Sequence, residues 1–130
     1  MRVLLDTNAL LWQIGLAHGG RLGSKTKELL NTTASVYVSA ISIVEMQIKT
    51  MTGKLDAPAD CAAMISDAGN ELLAFSPQAA DKLRDFPPLA KHDPFDRMLL
   101  AQASAERMTF LTADTILLGL NLPFVVDARE

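Results

Sequence analysis

The sequence predicts an α/β fold, a three-layer α/β/α sandwich around a central parallel sheet, and three observations support it. Short strand-like runs (RVLL, SVYVS, ELLAF, MTFL and PFVV) alternate with longer stretches of helical spacing. Those runs are continuously apolar, the pattern of strands covered on both faces. The 130 residues are 49% apolar and 21% charged, which describes one globular domain with a full core and not a disordered segment.

The elements follow in order. RVLL is a short buried strand. NALLWQIGLA has helical spacing at Leu10, Leu11, Ile14 and Ala17 and stops at the turn-prone His18-Gly19-Gly20. SKTKELLNTT is a second helix, polar on its Lys25, Lys27 and Glu28 side. SVYVS is β-branched and aromatic, hence a strand. Ser39 can cap AISIVEMQIKTM, whose Ile41, Val44, Ile48 and Met51 fall on one helical face, and Gly53 is the stop. After Pro58 come a helix in ADCAAMISDAG and a strand in ELLAF. Ser76-Pro77 opens a helix through QAADKLRDF, which Pro87-Pro88 breaks. HDPFDRMLLAQASAE is a helix with Asp93 at the cap and Pro94 at its first position. MTFL and PFVV are two further strands, with a brief helix at ADTILLG between them. No repeat, low-complexity tract or linker divides the chain, so residues 1–130 are expected to form a single domain.

The totals narrow the function. A net charge of −3, from 12 basic and 15 acidic side chains, argues against a protein that coats nucleic acid through bulk positive charge. It leaves room for an enzyme acting on nucleic acid, because clustered acids can hold cations. The lone Cys61 has no internal disulfide partner, which suits a reducing compartment. It lies among small helix formers and reads as a buried, inert thiol. Asp6 interrupts the apolar N-terminus, so no signal peptide is expected there, and no segment approaches the ~20 apolar residues of a membrane span. The expected location is the cytoplasm.

The carboxylates carry the chemistry. Asp6 directly follows the first strand, and Asp114 lies three residues after MTFL. Asp93 and Asp96 stand at the cap and first turn of the DPFD helix, and Glu45 lies in the helix after SVYVS. In a parallel sheet the carboxyl ends of the strands and the starts of the following helices share one edge, where ligands bind. All five acids map to it. Such a cluster repels itself unless protons or cations intervene. A hard divalent ion with oxygen ligands, Mg²⁺ or Mn²⁺, is the simplest solution. The two histidines, His18 and His92, lack metal-ligand spacing and read as loop residues without a general-base role. No phosphate-binding glycine loop and no Ser-His-Asp arrangement stands out.

Each residue also has a plainer reading. Asp6, Asn8 and Thr112 could be turn residues, Asp93 and Asp114 helix caps, and Asp96 an offset to the helix macrodipole. Glu45 could be an exposed acid paired with Lys49 one turn on. Lys49 and Arg97, adjacent to Glu45 and Asp96, are candidates for phosphate contact, whereas Lys54 and Lys91 read as solvated charges. Trp12 and Phe95 are expected in the core or at a dimer seam.

LLDTNALLW, SAISIVEMQIKTMTGKL and HDPFDRMLLAQA followed by FLTAD resemble, in that order, a PIN domain, and more narrowly the VapC-type toxin ribonucleases of bacterial toxin–antitoxin pairs. The resemblance spans nearly the whole chain. It implies a metal-dependent endoribonuclease whose acidic quartet falls on Asp6, Glu45, Asp96 and Asp114. Asp93 would be an auxiliary acid of a DPFD subgroup, with Asn8 and Thr112 orienting the cluster. It further implies a homodimer, inhibition by a small cognate antitoxin, and cleavage of a structured RNA such as transfer or ribosomal RNA. Two other functions compete. A strand-end aspartate phosphatase would carry a second Asp two positions after Asp6, where Asn8 stands, and a later switch lysine that is not evident. A PIN-like module could also bind RNA or protein without cutting.

Overall fold

The computed structural model describes residues 1–130. Five strands form one sheet: β1 (Arg2–Leu5), β2 (Ser35–Ser39), β3 (Glu71–Leu73), β4 (Thr109–Thr112) and β5 (Val125–Asp127). Their spatial order is β3-β2-β1-β4-β5, and every pairing is parallel. The helices are α1 (Thr7–Ile14), α2 (Ser24–Thr32), α3 (Ala40–Met51), α4 (Cys61–Asp67), α5 (Pro77–Asp81), α6 (Pro94–Glu106) and α7 (Thr115–Leu118).

Burial on both faces follows from the strand sequences. Val3 and Leu5 of β1 point into one apolar cluster with Leu10, Leu11, Met46 and Ile65, whereas Leu4 points into another with Leu99, Leu100, Phe110 and Leu117. Strand side chains alternate between faces, so an unbroken apolar run feeds both layers. The result is the expected three-layer sandwich.

β1 is central, paired with β2 on one side and β4 on the other. The chain winds outward from β1 to β2 and β3, then crosses to begin β4 on the opposite side. The carboxyl end of β1 is therefore the topological switch point, where open parallel sheets leave a crevice. Leu5 pairs with Val38 and with Leu111, so Asp6, Ser39 and Thr112, the next residue of each strand, meet at that point.

Several elements depart from expectation. α1 ends at Ile14 instead of running on to Ala17, because Gly15 adopts φ 79° and donates its N–H to the Leu11 carbonyl. The QAADKLRDF segment is a short α-helix that tightens into a 3₁₀ turn at Lys82–Asp85, and a second 3₁₀ turn follows it at Pro87–Leu89. α3 buries Ser42, Glu45 and Met46, while Val44, Ile48 and Met51 remain 46%, 43% and 84% exposed. Met46 enters the first apolar cluster, and that contact turns the apolar stripe toward solvent. Cys61 is buried, its thiol donating to the Pro58 carbonyl, and burial raises its pKa. No helix is long and apolar enough to cross a membrane.

Candidate active site

Asp6 caps α1. Its Oδ1 accepts the Ala9 N–H at 2.7 Å, and its Oδ2 accepts the Thr112 hydroxyl at 2.5 Å. Burial pushes its pKa up to about 6; the Thr112 and Ala9 hydrogen bonds work against that rise, and the charge of Glu45 adds to it. Thr112 is wholly buried, and its hydroxyl oxygen also accepts the Asp114 N–H at 3.0 Å. One hydroxyl thus orients two acids.

Asp96 lies in the first turn of α6. Burial, then the charges of Asp93, Asp114, Asp6 and Glu45, push its pKa up to about 7. Four acids act on this one carboxyl, Asp93 from the cap of the same helix and the other three from separate elements. Asp93 is the α6 cap, its Oδ1 accepting the N–H groups of Phe95 and Asp96 at 2.9 and 3.2 Å. It is exposed, and it reaches the cluster through its charge and through the Asp96 amide. Asp114 caps α7 through Oδ1, which accepts the Ile116 and Leu117 N–H groups at 2.8 and 3.0 Å. Burial opposes its ionisation, but those two amides and the His92 imidazole together hold its pKa below the usual carboxylate value.

Glu45 is buried. Its Oε2 pairs with Lys49 Nζ at 2.7 Å, and its Oε1 has no hydrogen-bond partner. Next to it, the hydroxyls of Thr7 and Ser42 meet at 3.0 Å and tie α1 to α3.

An open cleft of about 300 Å³ runs along this edge, lined by Asp6, Asn8, Trp12, Asp96, Asp114 and Arg129 among others. Trp12, expected in the core or at a seam, packs against the first apolar cluster and also walls the cleft. Gly20 lies so close to its ring that a Cβ there would stand 2.4 Å from it. Arg97 faces away: its guanidinium donates to the Ala90 carbonyl at 3.1 Å, bracing the loop before α6.

Two cluster residues escaped the sequence reading. His92, read as a loop residue, places Nε2 3.3 Å from Asp96 Oδ2 and 3.2 Å from Asp114 Oδ2. The available signal was its position four residues before Asp96, immediately ahead of the capping Asp93-Pro94. Arg129 follows β5 onto the same sheet edge, where it pairs with Asp127 through two contacts of 2.9 and 2.8 Å.

The donor set suits a divalent cation. Two carboxyls hold protons well above their ordinary range, and a buried glutamate oxygen lacks a donor. A cation would relieve both conditions.

The PIN domain family model matches residues 3–120. The chain belongs to the PIN domain family. PIN domains are generally nucleases, and the acidic cleft of this one lies at the switch point of its sheet. In fold, this PIN domain is similar to a chain of a toxin–antitoxin complex from Klebsiella pneumoniae, at TM-score 0.66 and 19% identity over 98% of each chain. It is similar to a chain of DNA-bound VapBC from Salmonella typhimurium, at 0.63 and 16% over 98% of each. It is also similar to a chain of VapBC2 from Rickettsia felis bound to a promoter DNA fragment, at 0.61 and 17%, over 97% of this chain and 96% of that one. No curated protein gives a significant match.

Proposed function

We propose that this PIN domain is a metal-dependent endoribonuclease, the toxin of a toxin–antitoxin pair, which hydrolyses RNA phosphodiesters with Mg²⁺ or Mn²⁺. The observation that carries this reading is the convergence of acids from separate elements on Asp96, in an open cleft with more negative charge than the protein neutralises.

In this reading Asp6, Asp96 and Asp114, with Glu45, hold the ion. When bound, the ion supplies charge neutralisation at the phosphoryl oxygens and lowers the pKa of water. The chain's own groups prepare the cleft. Thr112 and the Ala9 amide hold both oxygens of Asp6 in one orientation. The amides of α7 fix Asp114 by Oδ1 and leave Oδ2 turned toward His92. Lys49, beside Glu45 and 35% exposed, is better placed to meet a phosphate than Arg97, whose guanidinium braces a loop. Asn8 at the cleft wall is an auxiliary contact.

A cognate antitoxin and a second copy of the chain are the proposed protein partners, in keeping with the toxin–antitoxin complexes whose chains share this fold. The exposed Val44, Ile48 and Met51 stripe is apolar surface that such a partner would cover. The lone buried cysteine suits a cytoplasmic protein.

The test is cleavage of labelled transfer and ribosomal RNA with Mg²⁺ or Mn²⁺, against EDTA and Asp6→Asn controls. Cleavage should require metal and fall by about 100-fold or more in the variant. RNA binding without metal-dependent cleavage would instead establish a non-cutting module.

A further inference from the structure

We infer that His92 supplies a nitrogen ligand to the ion in the acidic cleft and biases this PIN domain toward Mn²⁺ over Mg²⁺. This inference rests on the metal-site reading above and specifies its donor set.

The geometry comes first. One ligand atom each from His92, Asp96 and Asp114 can be chosen so that all lie within 4.8 Å of one another. Within this group His92 Nε2 lies 3.3 Å from Asp96 Oδ2 and 3.2 Å from Asp114 Oδ2, so one nitrogen faces both carboxylates. Asp114 has its Oδ1 engaged by the α7 amides, so the oxygen left for a ligand is the one His92 faces. The carboxylates alone would make an all-oxygen site. The imidazole changes its character.

The ring is also held in place. Its backbone N–H donates to the Leu89 carbonyl at 2.9 Å, and Leu89 is a buried anchor behind the Pro87-Pro88 turn. Arg97 bonds the Ala90 carbonyl two residues earlier and braces the same loop from α6. The His92 side chain is 16% exposed and lies against Asp96 and Asp114, two of the residues that line the cleft. This gives a purpose to the Arg97 contact that phosphate binding leaves unexplained.

Donor chemistry sets the direction of the bias. Mg²⁺ prefers a shell of oxygen and water, whereas imidazole suits transition metals. Replacing one oxygen by a ring nitrogen therefore favours Mn²⁺, while the remaining carboxylates keep Mg²⁺ binding measurable.

The experiment loads metal-free full-length protein with Mn²⁺ and reads the bound ion by electron spin echo, which detects nitrogen coupled to manganese. The wild-type spectrum should carry an imidazole nitrogen coupling that changes on ¹⁵N-histidine labelling. That coupling should survive His18→Ala and vanish in His92→Gln. Calorimetric titration should show Mn²⁺ affinity falling roughly tenfold or more in His92→Gln, with a smaller loss for Mg²⁺. Labelling the wild type keeps the test sound even if the variant folds poorly. Manganese that binds, depends on Asp96 and carries no nitrogen coupling would overturn the His92 assignment and leave the metal site standing. A coupling lost in His18→Ala would overturn it equally. Manganese that does not bind at all would overturn the parent reading.

Discussion

One of the two hydrogen bonds that orient the buried Asp6 carboxyl comes from a hydroxyl. Thr112 donates it inside a wholly buried strand end, where an unsatisfied acceptor costs roughly 1–3 kcal/mol. Thr112→Val keeps the shape and removes that donor. We expect it to lower stability by about 1–2 kcal/mol in chemical denaturation and to reduce metal-dependent cleavage, with Thr112→Ser restoring both. A second residue-scale expectation concerns pH. Asp6 and Asp96 have folded pKa values of about 6 and about 7 against an ordinary 3.8. An acid raised on folding contributes stability below its unfolded pKa and loses it as pH rises through the folded value. The metal-free protein should therefore melt at a lower temperature at pH 8 than at pH 5, with Asp6 alone accounting for roughly 1–1.5 kcal/mol over that interval. Asp114, whose pKa is lowered, acts oppositely and withdraws its contribution only as pH falls below the ordinary carboxylate range. Thermal melts in EDTA from pH 2 to 8 check both signs. Asp96→Asn should flatten the alkaline fall, and saturating Mg²⁺ should offset it by binding the native state.

At the scale of elements, α6 depends on its start. Asp93 caps it, Pro94 occupies its first position, and Asp96 sits within the positive end of the helix. Capping is a neutral acceptor's work as much as a carboxylate's. Asp93→Asn should keep the denaturation midpoint, whereas Asp93→Ala should lose about 1 kcal/mol. If Asp93 serves only as cap, cleavage by Asp93→Asn should stay within a few-fold of the parent chain. Loss of cleavage with stability intact would identify it as part of the metal-holding set. The cap was legible because Asp-Pro at a helix start is local chemistry. The end of α1 was not, since an apolar Leu16-Ala17 continues the helical period past Gly15 while the backbone at Gly15 turns left-handed. The segment before α6 was legible as helical but not as 3₁₀, because its pitch is set by the double proline and by Leu89 entering the second cluster.

For the whole molecule, sheet order does the assembling. Placing β1 between β2 and β4 brings Asp6, the α3 glutamate, the α6 acids and the α7 cap to one edge. The same packing turns Val44, Ile48 and Met51 outward. A homodimer that used this stripe would be disrupted by Val44→Glu with Ile48→Glu. Sedimentation should then report a monomer while the unfolding free energy shifts by roughly 0.5 kcal/mol or less per site. An unchanged dimer in that double variant would place the seam on another surface.

By itself, the sequence determined the alternation of strands and helices, the two-faced burial of the strands, and the placing of Asp6, Glu45, Asp96 and Asp114 at strand ends and early helical turns. These properties are local: periodicity, capping preference and continuous apolarity are written within a few residues of where they act. Tertiary structure alone decided that His92 faces Asp96 and Asp114, that Arg129 reaches the cleft while Arg97 turns to a loop carbonyl, and which face of α3 is buried. Those outcomes depend on how separate elements settle against one another, and local spacing alone does not fix the direction a side chain takes once other elements pack around it.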